Sequence, residues 1–208
     1  MNWDSSKAKL YIGFKYFILK KEFTDNSQKK IKNKVPKILI SLGGSDPDNH
    51  TLIFLKLLLK LKISEVFQIT ILLGPGFAYH DELQNFIKIK NLVIDIVSNP
   101  FKVSKVFKSI DLGIISFGVT AYELAAIGVP ALYFCRTKDH ELSSRVFVEK
   151  HLGKVFAIGN NIENNILEGE INQLMIRKTD NNFKNMRKIK FSDLNKISEI
   201  ILNNQFIY

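Results

Sequence analysis

Short apolar runs alternate five times with longer patterns of helical spacing between residues 35 and 160. The runs are nearly unbroken and partly β-branched, as expected of parallel strands that are covered on both faces. They lie at residues 38–42, 68–73, 92–97, 112–115 and 131–134, with a weaker run at 154–157. Helical patterns begin near Pro47, Tyr79, Pro100, Thr120 and Asp139. This alternation predicts an α/β fold with a doubly wound, Rossmann-like parallel sheet.

Three segments differ in character along the chain. Residues 35–160 hold the alternating pattern and are predicted to form the Rossmann-like domain. Residues 161–208 are rich in asparagine and lysine with isoleucines at helical spacing, which predicts helices packing on the same domain. Residues 1–34 are basic and aromatic and are interpreted as a connector or docking arm. The candidates for its apolar docking face are Phe14, Tyr16, Phe17 and Ile18.

The positive charge is concentrated in the first segment. The formal net charge is +10, and the first 37 residues hold ten lysines against Asp4, Glu22 and Asp25. Nucleic-acid-binding proteins spread such charge over a folded face, so this distribution argues against nucleic acid as a partner. Two interpretations of the arm stay open: solvated lysines, or contact with an acidic partner or a membrane surface.

Cysteine usage and hydropathy indicate the compartment. A single cysteine, Cys135, forms no internal disulfide, and the chain has no signal-like apolar run at its start. It also lacks the roughly 18 consecutive apolar residues of a membrane-spanning helix. We therefore expect a cytoplasmic protein, peripheral to the inner membrane if the arm binds lipid.

Glycine-rich loops follow three of the predicted strands. They are Gly43-Gly44-Ser45, the Gly74-Pro75-Gly76 turn and the loop from Ser116 to Thr120. Ligands of open parallel sheets bind at the carboxyl ends of strands, where glycines allow close approach and helix-start amides attract anions. The spacing of dinucleotide-binding and P-loop motifs is absent, which argues against both of those enzyme classes.

Two helix starts carry capping residues. Asp46 followed by Pro47 is predicted to cap the helix after the first strand. Thr120 and Glu123 have the spacing of a capping box, with Thr at the N-cap and Glu three residues later. On spacing alone, the capping role of Glu123 is favoured over a ligand-binding role.

The remaining polar candidates give weaker signals. His50, His80 and His151 have no metal-ligand spacing, so no metal site is predicted. Cys135 is interpreted as a small buried hydrophobe rather than a nucleophile. Asp139 and His140 open a helix at the predicted ligand edge, where they either face a ligand or favour the helix dipole.

Longer stretches carry a family resemblance. "ILISLGGSDPDN", "SIDLGIISFGVTAYELAAIGVPALYF" and the Asp139-His140 loop resemble the C-terminal half of GT-B proteins of glycosyltransferase family 28. Within that group the chain looks most like the UDP-sugar hydrolase of the pseudaminic acid pathway and the spore-coat polysaccharide proteins. The resemblance covers residues 37 to about 158, with 111–130 its most specific part. It implies a single GT-B C-terminal domain.

The resemblance also implies residue roles around a UDP-sugar substrate. Glu123 would accept hydrogen bonds from the ribose hydroxyls, which reverses the preference for a capping role. Asp139 and His140 would face the sugar. The other implied nucleotide-binding residues are Gly43, Gly44 and Ser45 at the diphosphate, Gly118, Val119 and Thr120 as helix-start amides, and Val97, Ser98 and Asn99 near the uracil. Phe117 replaces a small residue of the relatives, so a narrower or turned loop is expected there.

In this family the UDP-binding half works with an N-terminal half that carries a catalytic histidine. We therefore expect catalytic residues to lie on a separate N-terminal-half protein and no cofactor to be needed. The resemblance implies hydrolysis of a UDP-sugar, or transfer of its sugar, in surface polysaccharide or nonulosonic acid biosynthesis. The alternative is a non-catalytic UDP-binding module or a truncated remnant.

Overall fold

A seven-stranded sheet organises the computed structural model, which describes residues 11–24, 34–159, 161–162, 164–179, 191, 197–199 and 202. The strand order is β3-β2-β1-β4-β5-β6-β7. Strands β1 to β6 are parallel, and β7 pairs antiparallel with β6. Their bounds are β1 Lys37–Ser41, β2 Gln68–Leu73, β3 Ile94–Ser98, β4 Leu112–Ser116, β5 Ala131–Cys135, β6 Gly153–Ile158 and β7 Asn161–Ile162. The predicted doubly wound α/β fold is confirmed.

Helices cover both faces of this sheet. One face buries apolar side chains of α2, α3 and α7, and the other buries those of α1, α4, α5 and α6. The sheet is therefore the middle of three layers, which explains why its central strands are apolar on both faces. The helices are α1 Lys21–Thr24, α2 His50–Lys60, α3 His80–Ile89, α4 Val103–Lys108, α5 Val119–Ile127, α6 Lys138–Glu149 and α7 Asn164–Thr179.

The third strand begins two residues later than predicted. Asn91 adopts a left-handed φ of 49°, and the Leu92 amide donates to the Ile87 carbonyl at the end of α3. These two residues therefore close the helix before the chain extends, so β3 starts only at Ile94. The predictions for 180–190, 192–196, Ile200 and Ile201 lie outside the described residues.

Asp46 holds the start of α2, but not in the predicted way. The helix begins at His50 with Asn49 at the N-cap, so Pro47 belongs to the preceding turn rather than to the first helical position. The buried carboxylate of Asp46 instead accepts hydrogen bonds from the backbone amides of His50 at 3.0 Å and Thr51 at 2.8 Å. One carboxylate satisfies two helix-start amides from outside the helix.

We expect Asp46→Ala to lower the free energy of unfolding by about 1–2 kcal/mol, because both amides lose their acceptor. Urea unfolding followed by circular dichroism measures the change. The matched control is Asp48→Ala, whose carboxylate is largely exposed and pairs with Arg136, and which is expected to cost at most about 1 kcal/mol. Equal stabilities of the two variants would contradict this account of the cap.

Part of the aromatic arm packs inside the domain. Phe17 stacks on Tyr122 with ring centroids 3.6 Å apart, and Phe14 lies 4.9 Å from Phe147. Leu19 is buried close by. Phe14 and Phe17 are only half-buried, and together with Tyr16 and Tyr122 they line an apolar cavity of about 450 Å³, so their part in a docking face stays a prediction. Ile18 stays exposed. Residues 1–10 and 25–33 of the arm lie outside the described residues.

Candidate functional site

The order of the strands fixes where a ligand can bind. From β1 the chain winds outward through β2 to β3, and from β4 it winds the opposite way through β5 to β6. Strands β1 and β4 are neighbours at this reversal. In such sheets the crevice beyond the carboxyl ends of the two central strands is left open by the diverging connections. The glycine turn after β1 and the loop after β4 both lie at this crevice.

A cavity of about 350 Å³ lies at the reversal. It is lined by four of the predicted site residues, namely Gly43, Gly44, Thr120 and Glu123. The structure thus brings together the β1 turn and the first turn of α5, which are more than 70 positions apart in sequence. Leu73 and Gly74 of the second predicted ligand loop also line the cavity, as does Asn99. The lining residues that sequence reasoning did not assign are Ser41, Leu72, Pro100, Val103 and Phe107.

The glycine turns after β1 and β2 are in direct contact at the wall of this cavity. Gly43 has a φ of 96°, which L side chains rarely adopt. The Gly76 amide donates to the Gly44 carbonyl at 2.9 Å. A Cβ atom on Gly74 would lie 2.4–2.7 Å from backbone atoms of Gly44. The β2 turn therefore needs its glycine because the β1 turn passes directly against it.

Helix α5 starts two residues earlier than a capping box with Thr120 at the N-cap requires. Its first residue is Val119 and its N-cap is Gly118, which has no side chain to cap the amides. Thr120 is consequently the second helical residue and Glu123 the fifth. The capping-box interpretation is wrong, because neither side chain is in register for the reciprocal bonds. The Ala121 amide donates to the Gly118 carbonyl at 3.0 Å, and the amides before it are left for solvent or a ligand anion.

Phe117 does not narrow the loop after β4. Its ring is buried and packs edge-on against Tyr133 and Phe147, with centroid distances of 5.3 and 5.2 Å. The ring therefore belongs to the core on the α5 and α6 face of the sheet. Gly118 follows with an extended φ of 173°, which needs no glycine.

Glu123 lies at a wall shared by α5, α4 and the N-terminal segment. Burial raises the pKa of its carboxyl group, with Lys20 lowering it and Glu22 raising it further. Glu22 is itself fixed, because the Ser104 hydroxyl donates to its carboxylate at 2.6 Å. A half-buried carboxylate whose charge is disfavoured gains most from a ligand that donates hydrogen bonds to it.

The other residues predicted for nucleotide binding flank the cavity without lining it. Ser45 is exposed next to Gly44, and Val119 is exposed at the start of α5. Of the stretch predicted to lie near the uracil, Val97 and Ser98 end strand β3, whereas Asn99 lines the cavity together with Pro100. Asn99 has a left-handed φ of 45°, which turns the chain at this point.

A second cavity of about 370 Å³ lies at the ends of β5 and β6. His140 lines it, whereas Asp139 is in the first turn of α6 and does not. His50, only 5% exposed, packs its ring 4.5 Å from that of Phe134. The other lining residues are Asp48, Arg136, Thr137 and Gly159.

The second cavity is rich in donors and acceptors. Arg136 Nη2 lies 2.9 Å from Asp48 Oδ2, and Thr137 Oγ1 accepts a hydrogen bond from the His140 amide at 3.2 Å. The Nδ1 atom of His140 is buried without a hydrogen-bond partner among the described residues. Sequence reasoning missed His50 and Arg136. Their only signal was position, directly after the β1 turn and at the end of β5.

Cys135 is buried at the end of β5, as predicted. Burial raises the pKa of its thiol, which disfavours the reactive thiolate. Of the helices in the described part of the chain, none combines the length and apolar character needed to span a bilayer.

Comparison with known proteins finds solved structures that share this architecture. No protein-family model matches the chain. Over 88% of its length it superposes on 54% of MurG from Acinetobacter baumannii, with a TM-score of 0.66 and 17% identity. It covers 47% of HepE from Anabaena, a structure with UDP and glucose, with a TM-score of 0.59 and 17% identity over 81% of this chain. The chain has the fold of a GT-B glycosyltransferase domain.

Two curated relatives match this GT-B domain in sequence. An uncharacterised protein of Methanocaldococcus jannaschii is 38% identical over 135 residues, which is 62% of this chain and 28% of that protein. The spore coat polysaccharide biosynthesis protein SpsG of Bacillus subtilis is 22% identical over 171 residues, 81% of this chain and 50% of that protein. The chain thus spans half or less of the length of these curated relatives.

Proposed function

We propose that this chain binds the UDP moiety of a UDP-sugar, as the nucleotide-holding half of a GT-B glycosyltransferase or UDP-sugar hydrolase. The observation that carries the proposal is the cavity at the strand-order reversal. It joins a glycine turn, the start of α5 and a half-buried carboxylate. The UDP bound to HepE and the SpsG similarity support a role in surface polysaccharide biosynthesis.

Each part of UDP has a matching part of the cavity. The diphosphate would lie at the backbone amides of Gly43 and Gly44, which no Cβ atom screens, and at the start of α5. The glycine amides and the helix start both present partial positive charge to an anion. Ser45, Gly118 and Val119 follow or precede these residues in the chain and would extend the contact with the diphosphate. Glu123 suits the ribose, since an ionised carboxylate is only an acceptor and a diol supplies two donors. The uracil would then lie toward the end of β3, beside Val97 and Ser98.

The second cavity suits the sugar. Its lining contains hydrogen-bond donors and acceptors as well as the aromatic ring of Phe134. A polyol needs both kinds of hydrogen-bond partner. The loop from Gly43 to His50 connects the two cavities, so a diphosphate at the glycines would direct its sugar toward Asp48 and His50. We propose that His140 contacts this sugar and that Asp139 lies at the edge of the contact.

Catalysis would take place with a complementary N-terminal half. As the sugar–phosphate bond breaks, negative charge grows on the departing diphosphate, and the amides of the glycine turn and α5 would stabilise it. We further propose the family 28 hydrolase group, close to the pseudaminic acid pathway enzyme and spore-coat proteins, because the glycine turn and the 111–130 stretch match its pattern.

Calorimetric titration of the full chain with UDP, UMP and ADP tests the binding proposal. We expect UDP to bind more tightly than UMP, because UMP lacks the second phosphate that faces the amides. We also expect UDP to bind more tightly than ADP, because the base pocket would be shaped for a pyrimidine. Equal binding of all three ligands, or no binding of UDP, would contradict the proposal.

A non-catalytic UDP-binding module predicts the same titration, so activity separates the two. Mixing the chain with a complementary N-terminal half and UDP-sugars should release UDP if the catalytic proposal holds. UDP binding without release in any such mixture would favour the module.

A further inference from the structure

Phe101 is almost fully exposed, although its neighbours in the chain line the cavity at the strand-order reversal. Its side chain is 97% accessible, the highest value of any large apolar residue described. An exposed phenyl ring forgoes the stabilisation that burial gives an apolar side chain. Its neighbours Pro100 and Val103 both line the cavity. Position 101 therefore lies next to the cavity lining in the chain rather than on a remote surface.

The cavity is chemically different at its two sides. Along the sheet edge its lining passes from β3 through β2 and β1 to the start of α5, in the order of the strands. The β1 and α5 side offers backbone amides and Glu123. The β3 and α4 side offers Pro100, Val103 and Phe107, which are apolar. A ligand with one anionic end and one flat apolar end would fit this polarity.

We propose that Phe101 stacks on the base of the bound nucleotide and forms the outer wall of the base pocket. This inference rests on the proposed function and deepens it. With the diphosphate at the glycines and the ribose at Glu123, the base extends toward α4, where the chain turns at Asn99. Stacking of a base on an aromatic ring tolerates any base because each has a flat π-face. Binding would also remove the exposed ring from water.

Titrations of the Phe101→Ala variant with UDP, ADP and inorganic pyrophosphate test this inference. We expect the variant to bind whichever nucleoside diphosphate the wild type prefers roughly 5- to 150-fold more weakly. Pyrophosphate affinity should not change, since pyrophosphate has no base. The matched control is Val93→Ala, which is 90% exposed at the opposite end of β3 and should bind all three ligands as the wild type does.

A second variant reports stacking directly. The sequence has one tryptophan, Trp3, so a Trp3→Phe, Phe101→Trp double variant carries its only indole at position 101. We expect nucleotide, but not pyrophosphate, to quench its fluorescence. Unchanged nucleotide affinity in Phe101→Ala, or an equal loss of pyrophosphate affinity, would overturn the stacking role. Preference of the wild type for ADP with a Phe101 effect retained would instead overturn only the UDP proposal.

Discussion

Gly74→Ala is expected to lower the free energy of unfolding by about 1–3 kcal/mol, the usual cost of overpacking. The new Cβ would lie 2.4–2.7 Å from the Gly44 backbone, and backbone atoms cannot move aside as a flexible side chain can. The β1 turn must shift, and with it the amides proposed to hold the diphosphate. We therefore also expect UDP to bind about 10-fold or more weakly, since a lost hydrogen bond to a charged group costs about 1.5–3 kcal/mol.

Gly169→Ala is the matched control for this prediction. It makes the same chemical change inside helix α7, where a Cβ would meet no atom within 4 Å. We expect it to raise the free energy of unfolding by about 0.5–1 kcal/mol through helix propensity and to leave UDP binding unchanged. Urea unfolding and calorimetry measure both effects. Wild-type stability and UDP affinity in Gly74→Ala would show that the two turns are not rigidly coupled.

Glu123→Ala is expected to weaken UDP binding by about 1–3 kcal/mol if the carboxylate binds the ribose. Glu123→Gln should also weaken binding, because its amide keeps the shape and loses the charge. The comparison of UDP with inorganic pyrophosphate is the internal control, since pyrophosphate has no ribose and its affinity should not change. Unchanged UDP affinity in both variants would leave Glu123 without a role in binding.

The stability of these variants distinguishes a ligand-binding carboxylate from a structural one. Burial raises the pKa of Glu123 above its value in the unfolded chain, so the folded protein holds the proton more tightly. Stability contributed in this way is present at low pH and is lost as pH rises through the raised pKa. Glu123→Gln has no carboxyl group at this position, so its stability does not fall in this way as pH rises. We therefore expect it to be at least as stable as the wild type at neutral pH, whereas a structural cap would be destabilised by the change.

The raised pKa of Glu123 also predicts that UDP binding depends on pH. When Glu123 is protonated it loses part of its acceptor capacity, so the wild type should lose its affinity advantage over Glu123→Gln as pH falls through the raised pKa. Taking the ratio of the two proteins at each pH cancels the titration of UDP itself. A ratio independent of pH would mean that the carboxylate does not face the ribose.

Much of the candidate site was predictable because it follows strand ends. Parallel strands bring their carboxyl ends to one edge, so residues after β1 and β4 had to lie on the same side of the molecule. Gly43, Gly44, Thr120 and Glu123 indeed line one cavity. His50 was not predictable in this way. Its place in the second cavity depends on how α2 packs against β5, which no spacing of histidines records.

The sequence by itself determined the alternation of strands and helices, because a buried parallel strand and an amphipathic helix leave different periodicities in the chain. It also determined that glycines follow the carboxyl ends of several strands. Only the tertiary structure decided where the helices begin and what caps them. Asp46 accepts hydrogen bonds from two α2 amides although it lies outside that helix, and Glu123 is the fifth residue of α5 rather than part of a capping box. The tertiary structure also decided that the Phe117 ring enters the core while Phe101 stays in water. These outcomes depend on contacts between elements distant in sequence, and local patterns carry no information about which partners such contacts bring.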